Sequence, residues 1–154
     1  MDKEEWKDWL NVKLLQKVAI VDEEGNILVL TRNPKSPGSR PGKPDLPGGS
    51  FSPEDLTSED NPHLEAVKRE IKEETGLTVQ NIEVIHASSG IKPTQTAGKV
   101  LIMALGYKAG VKGVKPEVTL GQEHTEYQWL PKNEALSLDF GNDGGLHKAI
   151  IEAI

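Results

Sequence analysis

Apolar residues fall in short runs along this chain, and the spacing within the runs changes from two residues to between three and four and back. From Val12 to Val21 the sequence is rich in Leu, Ile and Val. Asp22-Glu-Glu-Gly25-Asn26 then supplies turn residues before a second apolar run, Ile27-Leu-Val-Leu30, which predicts two hairpin-linked strands. Leu77 to Ala87, Val100 to Tyr107 and Glu126-Tyr-Gln-Trp-Leu130 also read as strands. Between the second and third of these runs the period is helical: Leu64, Val67 and Ile71 form one stripe. Asn61 is suited to capping that helix and Pro62 to its first turn, and Gly76 is suited to a left-handed stop after Thr75.

Pro131 to Leu136 and Gly144 to Ile154 look helical, and Asp2 to Leu10 places Trp6, Trp9 and Leu10 at helical spacing. That first segment is expected to be a short helical arm, residues 1–10, packed on the domain. Asn33 to Lys43 is broken by Pro and Gly and reads as a loop, as does the Gly/Lys-rich stretch Ala109 to Lys115. The order is strands, a central helix, more strands and a terminal helix, without a fixed-period repeat or a long linker. A mixed α/β sandwich is expected, with residues 1–154 as one domain.

Composition narrows the function. With 36% hydrophobic and 27% charged residues among 154, a folded globular chain is expected, and the longest apolar run is too short to span a bilayer. The polar, acidic start Met1-Asp-Lys-Glu-Glu-Trp6 is unlike a secretory leader, so a cytoplasmic location is expected. The absence of cysteine removes disulfides, thiolate metal sites and thiol nucleophiles. A net charge of −6 argues against broad attachment to nucleic acid, and means that any phosphate-rich ligand needs a cation or local basic residues.

Glu70, Glu73 and Glu74 lie at i, i+3 and i+4, within an arc of about 100° on the helix and centred roughly 110° from the apolar stripe. A solvated helix face laced with weak ion pairs has the same spacing. Carboxylates so close repel one another and raise each other's pKa, a conflict that a hard divalent cation relieves. Mg²⁺ takes oxygen ligands and keeps waters and substrate phosphates in its shell, which suits a few glutamates better than a closed cage.

Arg69-Glu70-Ile71-Lys72-Glu73-Glu74-Thr75-Gly76-Leu77 resembles the C-terminal half of the Nudix box, Arg-Glu-apolar-any-Glu-Glu-any-Gly-apolar, at every specified position. Leu46-Pro47-Gly48-Gly49 resembles the start of that box, and the Glu123-to-Trp129 segment is similar to one common after the later strands of the family. The resemblance implies a Nudix-type α/β/α sandwich with a mixed sheet, in which the box forms a loop-helix-loop. It implies that Glu70, Glu73 and Glu74 bind Mg²⁺, with Mn²⁺ as a substitute, helped by the Gly48 carbonyl and oriented by Arg69. The general base would be Glu70 or Glu123. The implied reaction is hydrolysis of a diphosphate linkage in a small nucleotide-like substrate: a nucleoside triphosphate, an oxidised nucleotide, a nucleotide sugar or a dinucleoside polyphosphate. A catalytically inactive nucleotide-binding or regulatory domain and an RNA 5′-end pyrophosphohydrolase are the alternatives, and a homodimer is common in the family.

The stretch from Gly49 to Arg69 is longer than the usual box by about six residues, so the glutamate that braces the loop in relatives has Glu54, Glu59 and Asp60 as candidates. Lys43-Pro44-Asp45 stands where many relatives carry an aromatic residue. Arg32, Lys35, Arg40 and Lys43 precede the box, and Arg32, Arg40 and Lys43 are the expected phosphate contacts, surface solubility being the plainer role. His63, His86, His124 and His147 lack metal-ligand spacing, and of them His124, beside Glu123, is the candidate for a role at the site. Trp129 is expected to be a half-buried strand residue.

Overall fold

Strand β1 (Val12–Val21) is the spine of the molecule, and the alternation of its side chains distributes them to two cores. Val18 and Ile20 point into one cluster while Ala19 and Val21 point into the other, which is why the last four residues of the strand are all apolar rather than alternating. The structure, a computed structural model, describes residues 11–38, 40–56, 59–94, 98–142 and 144–154. The arm expected at residues 1–10, with Trp6 and Trp9, lies outside them.

Around β1 are β2 (Ile27–Arg32), β3 (Pro44–Asp45), β4 (Gly48–Ser50), β5 (Gln80–Thr94), β6 (Gly98–Gly110) and β7 (His124–Leu130). They form one sheet in the order β3-β2-β1-β6-β5, with β4 paired to β1 and β7 to β2. β1 and β6 run parallel, from Val12 opposite Leu101 to Val21 opposite Gly110, and the other pairs are antiparallel. The sheet is therefore mixed, as expected.

Helix α1 (Pro62–Thr75) covers one face, burying Val67 and Ile71 with Leu64 packed against the same cluster, as its stripe predicts. α2 (Lys132–Leu136) and α3 (Gly145–Glu152) cover the other face through Ala135, Ile150 and Ile151. The layers are α/β/α. Gly76 stops α1 in the left-handed conformation. Asn61 precedes the helix as expected, but with φ 49° it takes the left-handed conformation itself and makes no side-chain cap. Asn tolerates that conformation, and Pro62 supplies the helical φ that follows.

The β5 and β6 strands run beyond their predicted limits because their backbones keep pairing, as far as Thr94 opposite Gly98, and the side chains of residues 88–93 and 98–99 are exposed and leave no hydrophobic period to read. β3 and β4 were not foreseen: each is too short to carry a pattern. The Gly/Lys-rich loop begins later than expected, since Ala109 and Gly110 still pair with Ile20 and Val21. No helix among the described residues is long and apolar enough to cross a membrane.

Ile71 is 1% exposed, so Ile71→Ala should cost about 2–5 kcal/mol of unfolding free energy, the range for an aliphatic truncation in a packed core. Ile91, 69% exposed on β5, should tolerate Thr within about 0.5 kcal/mol. Urea unfolding of both variants compares them, and equal losses would contradict the two-layered core described above.

Candidate active site

The antiparallel pairing of β4 with β1 brings the Leu46-to-Gly49 turn over the C-terminal half of α1. Gly48 sits opposite Lys17 with φ 131°, and a Cβ there would lie 2.1 Å from the Gln16 carbonyl oxygen, so no other residue fits. The close approach lets the Gly48 amide donate to Glu74 Oε2 at 2.8 Å. Gly49 lies against Glu70, a Cβ on it being 3.2 Å from Glu70 Oε1. The turn thus covers the carboxylate face of the helix.

The opposite wall is the segment that leads into β7. Thr119 N donates to Thr75 O at 3.0 Å and Gly121 N to Glu74 O at 3.3 Å, fastening this segment to the end of α1. Asn33 N donates to Glu123 O at 2.8 Å, fixing it from the other side. Glu123 is consequently drawn to the three helical glutamates across 50 residues of sequence. Glu70, Glu73, Glu74, Gly121, Gln122 and Glu123 line one open pocket of about 250 Å³. A larger hollow of about 380 Å³ lies elsewhere, along Asn81 to Glu83, Lys108 and Gly110, and concentrates no such charge.

Arg69 reaches both ways across the mouth of this pocket. Its Nη1 lies 3.1 Å from Glu73 Oε2 and its Nη2 lies 3.2 Å from Glu70 Oε1, the orienting contacts the resemblance implies. It is held in turn by Asp55, whose Oδ1 accepts from Nε at 3.0 Å and Nη2 at 2.8 Å. Asp55 is buried and accepts from the Ser52 amide at 2.9 Å within a short 3₁₀ turn. That hydrogen bond, with burial opposing it and Arg69 reinforcing it, lowers its pKa. Asp55 was not among the bracing candidates Glu54, Glu59 and Asp60, although Ser52-Pro-Glu-Asp55 carries the spacing of a capping box.

Burial dominates the electrostatics of the glutamates. It pushes Glu74 up to about 8, with Glu70 and Asp45 adding to the rise and Lys17 and the Gly48 amide opposing it. Glu70 is raised by burial and by Glu73 and Glu123, against Arg69. Protons and Arg69 thus relieve the repulsion that the spacing predicts. With the carboxylates turned to these partners, no group of three or more His, Asp or Glu among the described residues is gathered about one point as a finished metal cage. The donors nonetheless fit a hard cation: they are all oxygens, they line one open pocket, and two of them are held at raised pKa by burial that Arg69 and Lys17 only partly offset.

The cations ahead of the box go elsewhere. Arg40 is half-buried and bonds Asp45 Oδ1 at 3.1 Å, the Pro44 carbonyl at 3.0 Å and the Phe140 carbonyl at 3.3 Å. Arg32 Nη1 lies 3.5 Å from Asp45 Oδ2, and Lys43 pairs with Asp139 at 2.7 Å. These partners place Arg32 and Arg40 in an interior network rather than along the glutamate pocket, because a carboxylate buried at 0% exposure needs compensation. His124 belongs to the same network: its Nε2 meets Asp45 Oδ2 at 2.9 Å, and His147 Nε2 meets Oδ1 at 2.8 Å. Burial, together with Lys17 and Arg40, lowers the pKa of His147 against the pull of Asp45. Trp129 is buried and donates its Nε1 to the Pro116 carbonyl at 2.9 Å, a packing role as expected.

A family model described as the NUDIX domain matches residues 16–150. No curated protein matches the sequence significantly. Among solved structures, a MutT protein from Methanosarcina mazei Go1 is similar at 26% identity and TM-score 0.66, over 93% of this chain and 92% of that one. A mutator MutT protein from Bacillus halodurans is similar at 26% identity and TM-score 0.63, over 91% and 80%. The NUDIX domain of Shewanella oneidensis NrtR, solved with ADP ribose, shares the fold at 18% identity and TM-score 0.67, over 99% and 96%.

A carboxyl raised to about 8 in the folded chain binds a proton that the unfolded chain releases near 4.5. Its contribution is complete below pH 4.5 and is lost as pH rises through about 8, at up to about 1.4 kcal/mol per pH unit. In EDTA, the wild-type protein should therefore lose stability to urea between pH 5.5 and 8.5, and Glu74→Gln should flatten that slope. Parallel slopes for the two proteins would show that Glu74 is not the group responsible.

Proposed function

Because the chain belongs to the NUDIX family of hydrolases, which act on phosphoanhydride bonds, we propose that it hydrolyses a diphosphate linkage in a nucleoside diphosphate joined to another moiety. The observation that carries this reading is the meeting of Glu70, Glu73, Glu74 and Glu123 in one pocket beneath the Gly48-Gly49 turn. Glu70, Glu73 and Glu74 would hold Mg²⁺, or Mn²⁺ in its place, with the Gly48 carbonyl close by. A cation held there would offset the charge of the diphosphate and lower the pKa of a water, so that its deprotonated form could attack phosphorus.

The protein's own part is geometry and proton transfer. Arg69, braced by Asp55, fixes the rotamers of Glu70 and Glu73 and cancels part of their repulsion. Glu70 and Glu123 are the two groups placed to take the proton of the attacking water. Burial, with the neighbouring charges of Glu73 and Glu123, raises the pKa of Glu70 against Arg69 and so strengthens it as a base. Glu74, held by the Gly48 amide, remains a ligand. The substrate class comprises nucleoside triphosphates, oxidised nucleotides, nucleotide sugars and dinucleoside polyphosphates, each of which presents the same bridging diphosphate.

Product analysis across that panel, with Mg²⁺ or with EDTA, tests the proposal. Turnover should require the cation and should fall in Glu74→Gln by at least the roughly hundredfold that losing an outer partner of a metal ligand can cost. Of Glu70→Gln and Glu123→Gln, the one that removes the base should lower kcat by about 10²–10⁴ and abolish the acid limb of the pH profile. Binding of nucleotides without turnover of any of them would favour a nucleotide-binding domain instead.

A further inference from the structure

Lys17 does not line the pocket but reaches towards it from the interior. Its side chain, 6% exposed, extends from β1 so that Nζ lies 3.0 Å from Asp45 Oδ1, 3.0 Å from the Leu46 carbonyl oxygen and 3.4 Å from that of Gly48. An ammonium has three protons to donate, and here each has an acceptor within the four residues Asp45 to Gly48, the last of them paired with Lys17 across β1 and β4. Gly48, at the third contact, passes the connection on through its amide to Glu74 Oε2 at 2.8 Å. One continuous chain of polar contacts therefore runs from buried Asp45 through Lys17 and Gly48 to the glutamate cluster.

Lys17 shares the Asp45 carboxylate with four other groups. Arg40 at 3.1 Å, His147 at 2.8 Å, His124 at 2.9 Å and Arg32 at 3.5 Å already surround its two oxygens. The Lys17 ammonium compensates that buried charge, but compensation alone does not call for contact with the turn. What Lys17 alone among these groups contributes is contact with the carbonyls of the turn.

We propose that Lys17 is a positioning residue of the carboxylate site: anchored by Asp45, its ammonium clamps the Leu46 and Gly48 carbonyls and so keeps the Gly48 amide aimed at Glu74. The clamp sets the turn in place before any cation arrives. This inference rests on the divalent-cation site described under the proposed function.

Binding of Mn²⁺ alone to the full chain, followed by electron paramagnetic resonance, tests it together with thermal unfolding in EDTA. His147→Leu is the structural control, since it removes a partner of Asp45 without touching the turn. Lys17→Met and His147→Leu should both lower the melting temperature, but only Lys17→Met should weaken Mn²⁺ binding, by about tenfold or more. Lys17→Arg retains the buried charge while its planar head cannot place one nitrogen among all three acceptors. It should show the same loss of Mn²⁺ affinity with a smaller loss of stability, and it serves if the Met variant does not fold. Mn²⁺ affinity within twofold of wild type in the Lys17 variants, or an equal loss in His147→Leu, would overturn the positioning role alone. Wild-type protein whose Mn²⁺ binding is absent, or is unaffected by Glu74→Gln, would overturn the cation site and this inference with it.

Discussion

One buried carboxylate organises this molecule. Asp45 is 0% exposed, and its two oxygens are met by Lys17, Arg32, Arg40, His124 and His147, drawn from β1, β2, the following loop, β7 and α3. Burial alone would raise its pKa, but the Lys17 ammonium and the two imidazoles hold it well below the usual carboxylate range. A charge so placed makes sheet and terminal helix interdependent, because withdrawal of any one partner leaves charged or polar groups without solvent or a bond. The hydrophobic clusters above and below the sheet supply most of the driving force, but they are tolerant of shape; the directional contacts of Asp45 are not.

The glutamate pocket presents the opposite electrostatic situation. Around Asp45, positive partners outnumber the carboxylate; around Glu70, Glu73 and Glu74, only Arg69 and the more distant Lys17 answer several acids. The two regions share Lys17 and the Gly48 turn. A buried carboxylate ringed by cations and imidazoles thus supports an under-compensated surface pocket, which is the arrangement a cation site needs: ligands fixed from behind and unsatisfied in front.

Much of this was legible in the residues. The period-two and helical runs foretold β1, β2, β7 and all three helices, because each buries a defined face. The i, i+3, i+4 spacing foretold that Glu70, Glu73 and Glu74 share one side of the helix. What escaped was whatever depends on tertiary pairing: β3 and β4 are too short for a pattern, and the outer parts of β5 and β6 are exposed ladders. Asp55 escaped because three acidic neighbours compete with it in the extended loop, and its distinction is a bond to Arg69, visible only once the loop is folded. Lys17 was read merely as part of a strand, since a lysine in an apolar run carries no mark of its depth. Arg32 and Arg40 looked like phosphate contacts because the interior anion that claims them, Asp45, appeared in the sequence as a polar residue ahead of a turn.

The partners of Asp45 lie far apart along the chain, His124 by 79 residues and His147 by 102. On the ribosome, Lys17, Asp45 and the whole Glu70-to-Glu74 stretch emerge long before α3. Until residue 147 has cleared the exit tunnel, Asp45 lacks its last partner, so the network behind the Gly48 turn cannot be completed before α3 has emerged.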